Sequence, residues 1–584
     1  MKDIFVALVQ LDVAVGALVS NAEKILHAAK LAADEGASLI VFPELVLSGY
    51  SPEDLVLKKH FLEACERQLA ALATALPRDV VVIVGSPRRA GDRACNAAVV
   101  FAGGRIAATY RKMLLPNYGV FDEQRVFVAG TRPAMLQIGR ARIGIHICED
   151  SWHVAKRPCT LLADQGLDGL VNLSASPYHR GKGGQREETL CKTAEALQTH
   201  VLYCNLIGGQ DELVFDGGSF VIAPDGTLAA RAKQFEPDVL WFRLPVRGLE
   251  DRHPLRTPKG AEKSAPSDDV GGAKIVTLPT LGNAGAKTSK PSKTSIAPPL
   301  DDPAEVYAAL QLGLRDYVDK NGFGGTIVAL SGGIDSALVA TLAVDALGAG
   351  RVAGITLPSR FSSAETRADA AALAGNLGIR FFDVPIQELF DAYLARLTTL
   401  WPGKPPDVTE ENLQARIRGN IVMALSNKFG WLVLATGNKS ELATGYCTLY
   451  GDMAGGFAVL KDVPKTLVFQ LARWRNREGP REVIPRSTIE RPPTAELRDN
   501  QKDSDTLPPY DLLDPILERY VEQDQGAEDI IGAGFDPDTV RRVIRMVDRS
   551  EYKRRQGPPG IKITPRAFGR DRRMPITNLY RELT

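Results

Sequence analysis

The sequence predicts a two-domain α/β protein, in which a layered sandwich of sheets precedes a doubly wound parallel sheet. At 584 residues, the chain is longer than one hydrophobic core usually serves. Its first part consists of short apolar runs bounded by Gly, Pro, Asn or Asp, whereas strands and helices alternate regularly after about residue 300. Such alternation is typical of a parallel sheet with helices on both faces.

The overall composition is that of a soluble globular protein, with 44% hydrophobic and 24% charged residues. Lys and Arg total 71 against 70 for Asp and Glu, which indicates neither a nucleic-acid binder nor an electrostatic membrane ligand. The seven cysteines are scattered without a CxxC pair, which argues against a disulfide framework and a structural zinc site. No apolar run is long enough to span a bilayer, and Asp3 and Asp12 interrupt the apolar N-terminus. We therefore expect a reduced, cytoplasmic protein.

The first domain is expected to span residues 1–250. It opens with a strand at Ile4–Gln10 and a helix at Asn21–Asp34, for which Asn21 is the expected N-cap. The other expected strands are Ser38–Phe42, Val80–Gly85, Ala97–Phe101, Ala141–Ile147, Gly169–Leu173, His200–Asn205 and Gly218–Ile222. Many strands with few helices indicate a layered sheet sandwich.

Residues 251–300 are expected to form a flexible linker or surface excursion. Most of this segment is rich in Pro, Gly, Ser, Lys and Ala and has few large apolar residues. Such a composition cannot bury enough apolar surface to offset the conformational entropy that ordering would cost.

The second domain, residues 301–584, opens as an alternating α/β unit. Its expected strands are Thr326–Leu330, Val352–Leu357, Phe381–Pro385 and Trp431–Thr436. Its expected helices are Pro303–Asn321, Ser336–Ala346, Ser363–Leu377 and Glu411–Phe429. Because ligands of such sheets bind beyond the carboxyl ends of the strands, a site is expected there.

A carboxylate, a lysine and a cysteine draw attention in the first domain. Glu44 and Cys148 lie at the ends of apolar strand-like runs, and Lys112 lies in the segment TYRKMLLPNYGVFDE. A carboxylate can take the proton of a thiol that attacks an amide, and an ammonium can stabilise the oxyanion that forms. Taken singly, each residue has an ordinary structural interpretation, since a cysteine at a strand end is usually a small buried hydrophobe.

Three segments around these residues resemble the signatures of the carbon–nitrogen hydrolase (nitrilase) superfamily, namely VFPELVLSGY, RKMLLPNYGVFDEQRVF and GIHICEDSW. They are most similar to the glutaminase branch that is fused to NAD synthetase, and the resemblance covers nearly all of residues 1–250. It implies a nitrilase-type α-β-β-α sandwich, with Glu44 as general base, Lys112 as the oxyanion-supporting lysine and Cys148 as nucleophile. It also implies that Tyr118, Ser176 and Lys182 hold glutamine.

The segment TIVALSGGIDSALVA contains the strongest local motif of the chain. A strand runs into SGGIDS and a helix begins at once, so backbone N–H groups and the helix N-terminus form an anion nest. Asp335 suits such a site if it binds Mg²⁺. The structural alternative is a plain glycine turn, in which Asp335 only favours the helix start.

This loop lacks the GK[ST] of a Walker A motif and resembles the loop of the ATP pyrophosphatases, which release AMP and pyrophosphate. The resemblance implies ATP as co-substrate. The ATP-binding residues that it implies are Ser331, Gly332, Gly333, Ile334, Asp335, Ser336 and Thr436.

The stretch WLVLATGNKSELATGYCTLYGDMAGGFAVLKDVPKT resembles the NAD synthetase branch of that group. The resemblance covers roughly residues 300–584 and implies deamido-NAD as acceptor. It places Asn412, Glu441 and Lys553 at deamido-NAD, and Asp335 with Glu441 at Mg²⁺. Arg416 and Arg418 on the same helix could meet a dinucleotide pyrophosphate.

Together, the two resemblances imply an ATP-dependent ligase that uses glutamine, ATP and deamido-NAD and forms a homo-oligomer. Two alternatives stay open. One is a glutamine amidotransferase of the same group with a different acceptor, and the other is a non-catalytic sensor of ammonia or nucleotides that keeps the folds.

His146 and His153 flank Cys148 and suggest a Cys–His dyad, but the lysine-containing pattern supplies a base without histidine. We therefore predict that His146→Asn preserves far more glutaminase activity than Glu44→Gln, measured as ammonia release from glutamine. Equal losses in the two variants would contradict Glu44 as the base.

Overall fold

The structure is a computed structural model that describes residues 3–248, 274–278, 295–499 and 501–580. The chain divides into two compact units. The first comprises Met1–Gln210 and Val214–Leu300, and the second comprises Asp211–Leu213 and Asp301–Thr584.

The first unit contains two large sheets and a small hairpin. Its strands are β1 (Asp3–Gln10), β2 (Leu39–Val41), β3 (Val81–Ala90), β4 (Arg93–Ala102), β5 (Arg105–Arg111), β6 (Ala134–Ile138), β7 (Ala141–Ile147), β8 (Gly169–Ser174), β9 (His200–Asn205), β10 (Ile207–Gln210), β11 (Leu213–Asp216), β12 (Phe220–Ile222), β13 (Leu228–Arg231), β14 (Asp238–Pro245) and β15 (Lys274–Leu278). Its helices are α1 (Leu18–Asp34), α2 (Lys59–Ala75), α3 (Glu123–Val126), α4 (Cys159–Leu162) and α5 (Lys182–Leu197). The strand orders are β14-β1-β2-β3-β4-β5 and β13-β12-β9-β8-β7-β6-β15, with β10 and β11 paired separately.

One hydrophobic core fills the space between the two large sheets. Inward side chains from β1 to β4, such as Leu8 and Ile83, share a cluster with those from β6 to β9, such as Ile145 and Leu202. Helices α1 and α2 pack on the outer face of the first sheet, and α5 packs on the second. The layers therefore follow the α-β-β-α order that the sequence predicts.

The predicted capping role of Asn21 is wrong. Helix α1 begins three residues earlier, at Leu18, and its N-cap is Ala17. The Asn21 side chain is buried and donates to the carbonyl oxygens of Ala14, at 2.8 Å, and Leu47, at 3.0 Å. Its amide thus satisfies the backbone of the loop before the helix and of a neighbouring segment.

The prediction of a flexible linker does not hold at Lys274–Leu278. These residues form β15, which pairs with β6 in parallel register, so that Val276 lies opposite Leu136. Leu278 is buried and Val276 packs against the core between the sheets, which explains why the short apolar run KIVTL is ordered. The rest of the predicted linker up to residue 294 lies outside the described residues, and the domain bounds 1–250, 251–300 and 301–584 stay predictions.

The second unit is a five-stranded parallel sheet with helices around it. Its strands are β16 (Thr326–Ala329), β17 (Val352–Thr356), β18 (Arg380–Asp383), β19 (Leu432–Ala435) and β20 (Phe457–Ala458). Its helices are α6 (Asp302–Lys320), α7 (Ile334–Leu347), α8 (Ala364–Leu377), α9 (Gln387–Leu397), α10 (Val408–Phe429), α11 (Lys439–Thr444), α12 (Lys465–Glu478), α13 (Arg486–Glu490), α14 (Tyr510–Leu517), α15 (Ala527–Gly532), α16 (Pro537–Arg549) and α17 (Glu551–Arg554).

The sheet of the second unit has the order β18-β17-β16-β19-β20, and all its pairings are parallel. The chain proceeds outward from β16 through β17 to β18 and then returns to place β19 on the other side of β16. This reversal creates a crevice beyond the carboxyl ends of β16 and β19, where ligands of doubly wound sheets bind. The doubly wound fold that the sequence predicts is confirmed.

Helix α10 illustrates how local signals set an element. It begins at Val408, three residues before the predicted start, because Asp407 and Glu410 form a capping box. Asp407 Oδ1 accepts the amide of Thr409 at 2.7 Å, and Glu410 Oε2 accepts the amide of Asp407 at 2.7 Å.

Within the described ranges, no helix has both the length and the apolar surface that crossing a bilayer requires.

We predict that Asn21→Ala lowers the free energy of unfolding of the first unit by about 1–3 kcal/mol, because it strands buried backbone carbonyls. Chemical denaturation of the full chain measures this change, and hydrogen exchange of the amides in β1 and α1 locates it. The control is Ser20→Ala on the exposed face of the same helix, for which we expect a change within about 0.5 kcal/mol. Equal effects of the two substitutions would contradict the structural role of Asn21.

Candidate active sites

Cys148 lies where β7 ends and a 3-10 turn, Cys148–Ser151, begins. Its φ of 45° lies in the left-handed region, which non-glycine residues rarely adopt and which is frequent at functional sites. Asn172, which lies opposite His146 on β8, donates its Nδ2 to the Cys148 carbonyl oxygen at 3.1 Å. Cys148 is 4% exposed, so its thiol is buried within the sandwich.

Asp150, which the sequence analysis did not single out, holds this turn in place. Its carboxylate accepts the amides of Ile147, at 3.1 Å, and Leu114, at 2.8 Å, and the hydroxyl of Tyr110, at 2.8 Å. Burial raises its pKa to about 6, an effect that these donors partly oppose. Asp150 thus ties the turn of Cys148 to the segment that directly follows Lys112.

Glu44 and Lys112 form a buried ion pair. Lys112 Nζ lies 2.8 Å from Glu44 Oε1, and both side chains are almost fully buried. Asn96 Nδ2 donates to the same oxygen at 2.7 Å, and the amide of Ala175 donates to Oε2 at 3.0 Å. Because both oxygens of Glu44 have donors, the carboxylate is held in one orientation.

A second carboxylate, Glu123, shares the Lys112 ammonium. Lys112 Nζ donates to Glu123 Oε1 at 2.8 Å, and the Tyr50 hydroxyl donates to the same atom at 3.0 Å. Burial raises the pKa of Glu123 to about 7, with Lys112 acting in the opposite direction and Glu44 adding to the rise. The other oxygen, Oε2, has no hydrogen-bond partner among the described residues.

Burial, together with the charges around it, favours the protonated form of the Cys148 thiol. Burial raises the pKa of Cys148, the Glu44 carboxylate raises it further, and the Lys112 ammonium opposes them. Burial would lower the pKa of Lys112, but Glu123 and Glu44 prevail and hold it well above its usual range. The geometry can therefore provide a base for the thiol and a permanent positive charge beside it.

His146 makes its hydrogen bond away from Cys148. Its Nδ1 lies 2.9 Å from Ser151 Oγ, and its Nε2 has no hydrogen-bond partner in the part of the chain that the structure describes. Burial lowers the pKa of His146 to about 3, which keeps the ring neutral. The ring is therefore engaged with Ser151, and the expectation that Cys148 works without a histidine stays a prediction.

The three predicted glutamine-binding residues lie close to these elements. The Tyr118 hydroxyl donates to Glu149 Oε2 at 2.8 Å, and the Lys182 ammonium lies 4.5 Å from the centre of the Trp152 ring. Glu149 directly follows Cys148 in the chain, and Trp152 is the residue that ends the 3-10 turn. Ser176 is 3% exposed and directly follows the residue whose amide binds Glu44. The structure thus gathers all three around the turn and the carboxylate.

The predicted phosphate loop follows β16 and ends where α7 begins. Ser331 Oγ accepts the amide of Gly333 at 3.2 Å and lies 3.2 Å from Ser336 Oγ, and the Ser336 hydroxyl donates to the Gly333 carbonyl at 3.0 Å. Gly332 has a φ of 81°, and a Cβ there would lie 2.2 Å from the Thr366 carbonyl oxygen. Only glycine fits at that position.

A cavity of about 310 Å³ opens beyond the carboxyl ends of β16 and β19. It is lined by every residue that the sequence analysis assigned to ATP or Mg²⁺. They are Ser331, Gly332, Gly333, Ile334, Asp335, Ser336, Thr436 and Glu441. The site therefore lies at the point where the strand order reverses.

Lys465, which the sequence analysis quoted but did not assign, lies between Asp335 and Glu441. Its ammonium contacts Asp335 Oδ2 and lies 3.1 Å from Glu441 Oε1. Asn438 Nδ2 donates to Asp335 Oδ1 at 2.9 Å. Burial raises the pKa of Glu441 to about 8, with Lys465 opposing that rise.

Asn412 and Lys553 do not line this cavity. Asn412 Oδ1 accepts the Thr448 hydroxyl at 2.7 Å, and the Lys553 ammonium donates to the carbonyls of Gly445, at 2.7 Å, and Cys447, at 2.8 Å. Both side chains thus support the segment 445–448 on the rim of the cavity. Their contact with deamido-NAD stays a prediction.

The expectation that Arg416 and Arg418 meet one pyrophosphate does not fit their placement. Arg418 lines the cavity and donates to the Leu357 carbonyl at 2.9 Å, whereas Arg416 is exposed and donates to the Leu449 carbonyl at 3.2 Å. Residues two apart on an α-helix point in directions about 200° apart. Another arginine, Arg491, also lines the cavity, and its guanidinium donates to the Gly332 carbonyl oxygen at 3.4 Å.

Two family models match this chain, one described as carbon-nitrogen hydrolase over residues 5–250 and one described as NAD synthase over residues 306–557. The glutamine-dependent NAD(+) synthetase of Thermotoga maritima is 45% identical over 582 residues, which cover 100% of both chains. The protein of the same name from Aquifex aeolicus is 46% identical over 576 residues, covering 98% of this chain and 99% of that protein.

Solved structures show the same similarity. The glutamine-dependent NAD+ synthetase of Acinetobacter baumannii, solved in complex with ADP, is 40% identical, with a TM-score of 0.74 and 99% of each chain covered. A glutamine-dependent NAD(+) synthetase from Cytophaga hutchinsonii has a TM-score of 0.78 at 22% identity, covering 99% of this chain and 98% of that chain. At that identity, the latter supports the fold alone.

We predict that Glu123→Gln removes a pH-dependent step from glutamine hydrolysis. Glu123 has a pKa raised to about 7, so above that pH it adds negative charge next to the Lys112–Glu44 pair, and the native rate should rise through that pH. Glu123→Gln should lack this rise and be at least about 10-fold slower above it. Initial rates of ammonia release against pH measure both effects.

The control for Glu123→Gln is Asp122→Asn, which removes a carboxylate from the adjacent surface position that pairs with Arg125. It should keep the native pH profile. A step near the same pH that persists in Glu123→Gln would assign the titration to another group.

Proposed function

The chain belongs to the glutamine-dependent NAD(+) synthetase family, and from this premise we propose how its residues perform the reaction. The protein is a carbon–nitrogen ligase of NAD biosynthesis that amidates deamido-NAD(+) with ammonia from glutamine, at the expense of ATP. The observation that carries the proposal is the buried group around Cys148, in which a fixed carboxylate and a permanent ammonium take the place of a histidine base.

In the first half of the reaction, Glu44 takes the proton of Cys148 as the sulfur attacks the side-chain amide of glutamine. Lys112 supports the negative charge that develops on the amide oxygen. Glu44 then returns its proton to the departing nitrogen, which leaves as ammonia and produces a thioester. Water hydrolyses the thioester to glutamate, with Glu44 again as base.

Tyr118, Ser176 and Lys182 hold glutamine in this proposal. Lys182 contributes a positive charge beside Trp152, and Ser176 contributes a hydroxyl next to the residue whose amide anchors Glu44. An ammonium and a hydroxyl are both donors, which suits the α-carboxylate of an amino acid.

In the second half, the nicotinate carboxylate of deamido-NAD attacks the α-phosphorus of ATP, forming an acyl adenylate and releasing pyrophosphate. Ammonia displaces AMP and forms the amide. The loop Ser331–Ser336 and Thr436 bind ATP, with backbone N–H groups and the start of α7 directed at phosphate. Asn412, Glu441 and Lys553 bind deamido-NAD in this proposal.

Asp335 and Glu441 are proposed to hold Mg²⁺. Carboxylate oxygens suit this ion, which is usually bound by one or two carboxylates together with substrate phosphates. Within the described residues, no group of three acidic, histidine or cysteine side chains forms a complete metal site, so phosphate oxygens would complete the ligand set. When bound, the ion neutralises charge on the phosphates. Lys465 contacts both side chains and keeps them adjacent.

A homo-oligomeric state and a cytoplasmic location are part of the proposal. Both are supported by the family resemblance, and the seven cysteines are all free thiols, as a reducing compartment requires.

The test compares glutamine with ammonium as nitrogen source, in the presence of ATP, Mg²⁺ and deamido-NAD. NAD and AMP are quantified for the native chain, Cys148→Ala and Asp335→Asn. We expect the native chain to use both sources and Cys148→Ala to use ammonium alone, since only the thioester step is lost. Asp335→Asn should lower NAD formation from either source by about 100-fold or more.

Two outcomes would contradict the proposal. Formation of AMP without NAD from either source would mean that the acceptor is not deamido-NAD. Undiminished use of glutamine by Cys148→Ala would remove this residue from the reaction.

A further inference from the structure

A buried arginine, Arg186, lies directly behind Ser176. It is on α5 and is 2% exposed. Its Nε donates to Ser176 Oγ at 3.1 Å, and Nη2 donates to the Ser176 carbonyl at 2.8 Å and the Pro177 carbonyl at 3.1 Å. Its Nη1 lies 2.7 Å from both oxygens of Asp216, which is on β11.

Asp216 neutralises the guanidinium inside the protein. It is 1% exposed, and such a buried charge requires a partner. Because the pair is electrically balanced, Arg186 is not a free cation that would attract a substrate by itself. Its remaining hydrogen bonds are directed at the segment of Ser176, which points to an orienting effect.

The hydrogen bonds of Ser176 leave its hydroxyl hydrogen available for donation. Its amide donates to Asn205 Oδ1 at 3.0 Å, and its carbonyl oxygen and Oγ both accept from Arg186. Among the described residues, nothing accepts the hydroxyl hydrogen. A serine hydroxyl can donate or accept, but a charged donor on its oxygen favours the orientation in which the hydrogen points away and can be donated.

Helix α5 also supplies Lys182, one turn before Arg186. Residues four apart on a helix lie on the same face, so Lys182 starts from the face of α5 that carries Arg186, the residue bonded to Ser176. An ammonium and a hydroxyl are both donors, and such a pair suits an anion.

We propose that Arg186 is a positioning residue for substrate selection, which holds the Ser176 hydroxyl as a donor to the α-carboxylate of glutamine. The proposal rests on the proposed function of this site. Arg186 does not touch the substrate and takes no part in the chemical step. Its effect is a preference for amides that carry a carboxylate at the end remote from the scissile bond.

A purely structural role would have a different signature. Arg186 and Asp216 could serve only to fasten α5 to β11, and loss of the pair would then reduce activity toward every amide alike. A ratio of rates for two substrates distinguishes the roles, because a misfolded fraction lowers both rates by the same factor.

The test measures ammonia release from three amides by the full chain and by Arg186→Lys. Glutamine carries both α-groups, 4-carbamoylbutanoate keeps the carboxylate alone, and 4-aminobutanamide keeps the ammonium alone. We expect Arg186→Lys to lower kcat/KM about 10- to 100-fold for the two carboxylates, mainly through KM, since lysine cannot reproduce the fork of donors. For 4-aminobutanamide, we expect a change below about threefold.

The matched control is Glu187→Gln on the same helix. Glu187 pairs with Arg231 at 2.7 and 2.8 Å and fastens α5 without contact to Ser176. The Glu187→Gln variant should keep the native ratio of kcat/KM for 4-carbamoylbutanoate and 4-aminobutanamide. Asp216→Asn, which loosens Arg186 but keeps it, should shift selectivity in the same direction by a smaller factor and serves if Arg186→Lys does not fold.

Ser176→Ala completes a double-mutant cycle. Because Arg186 acts through Ser176, adding Arg186→Lys to Ser176→Ala should change the selectivity by less than about twofold. Equal losses for all three amides in Arg186→Lys, or fully additive effects in the cycle, would overturn the positioning role. A native chain that releases ammonia from 4-aminobutanamide but not from glutamine would overturn the proposed function of the site itself.

Discussion

The sharing of one buried ammonium by two buried carboxylates is the interaction on which the first site depends. Lys112 Nζ lies 2.8 Å from Glu44 and 2.8 Å from Glu123, and none of the three side chains has appreciable contact with solvent. Removal of such charges from water is costly unless they are paired and hydrogen-bonded. The pairing fixes the position of Glu44, and burial, with a smaller contribution from the Glu44 charge, raises the pKa of Glu123.

In the second site, too, one lysine ammonium contacts two acidic side chains. Lys465 contacts Asp335 and Glu441, two cavity-lining acidic residues that would repel one another when both are ionised. The glycine loop contributes backbone donors without side-chain charge. The cavity therefore combines acidic groups that suit a divalent cation with donors that suit phosphate, a combination that fits a nucleotide bound with its metal.

Much of both sites could be predicted, because Glu44, Cys148 and the loop at Ser331 each lie at the end of an apolar run that is recognisable as a strand. Glu123 and Lys465 were missed for a physical reason. The contact between Lys465 and Asp335 joins residues 130 positions apart, and no local pattern records it. Asn21 shows the opposite error. Asparagine favours helix caps, so a cap was predicted there, but the buried side chain instead donates to a backbone carbonyl of the preceding loop.

The sequence by itself determined the two α/β domains, the order of their strands along the chain and the residue types that the chemistry requires, because apolar periodicity and glycine-rich turns are local properties. Only the tertiary structure decided which charges meet, which arginines line the cavity and that a strand forms at Lys274–Leu278. Charge pairing depends on distance in space, and a short apolar run becomes a strand only when a sheet edge is available to accept it.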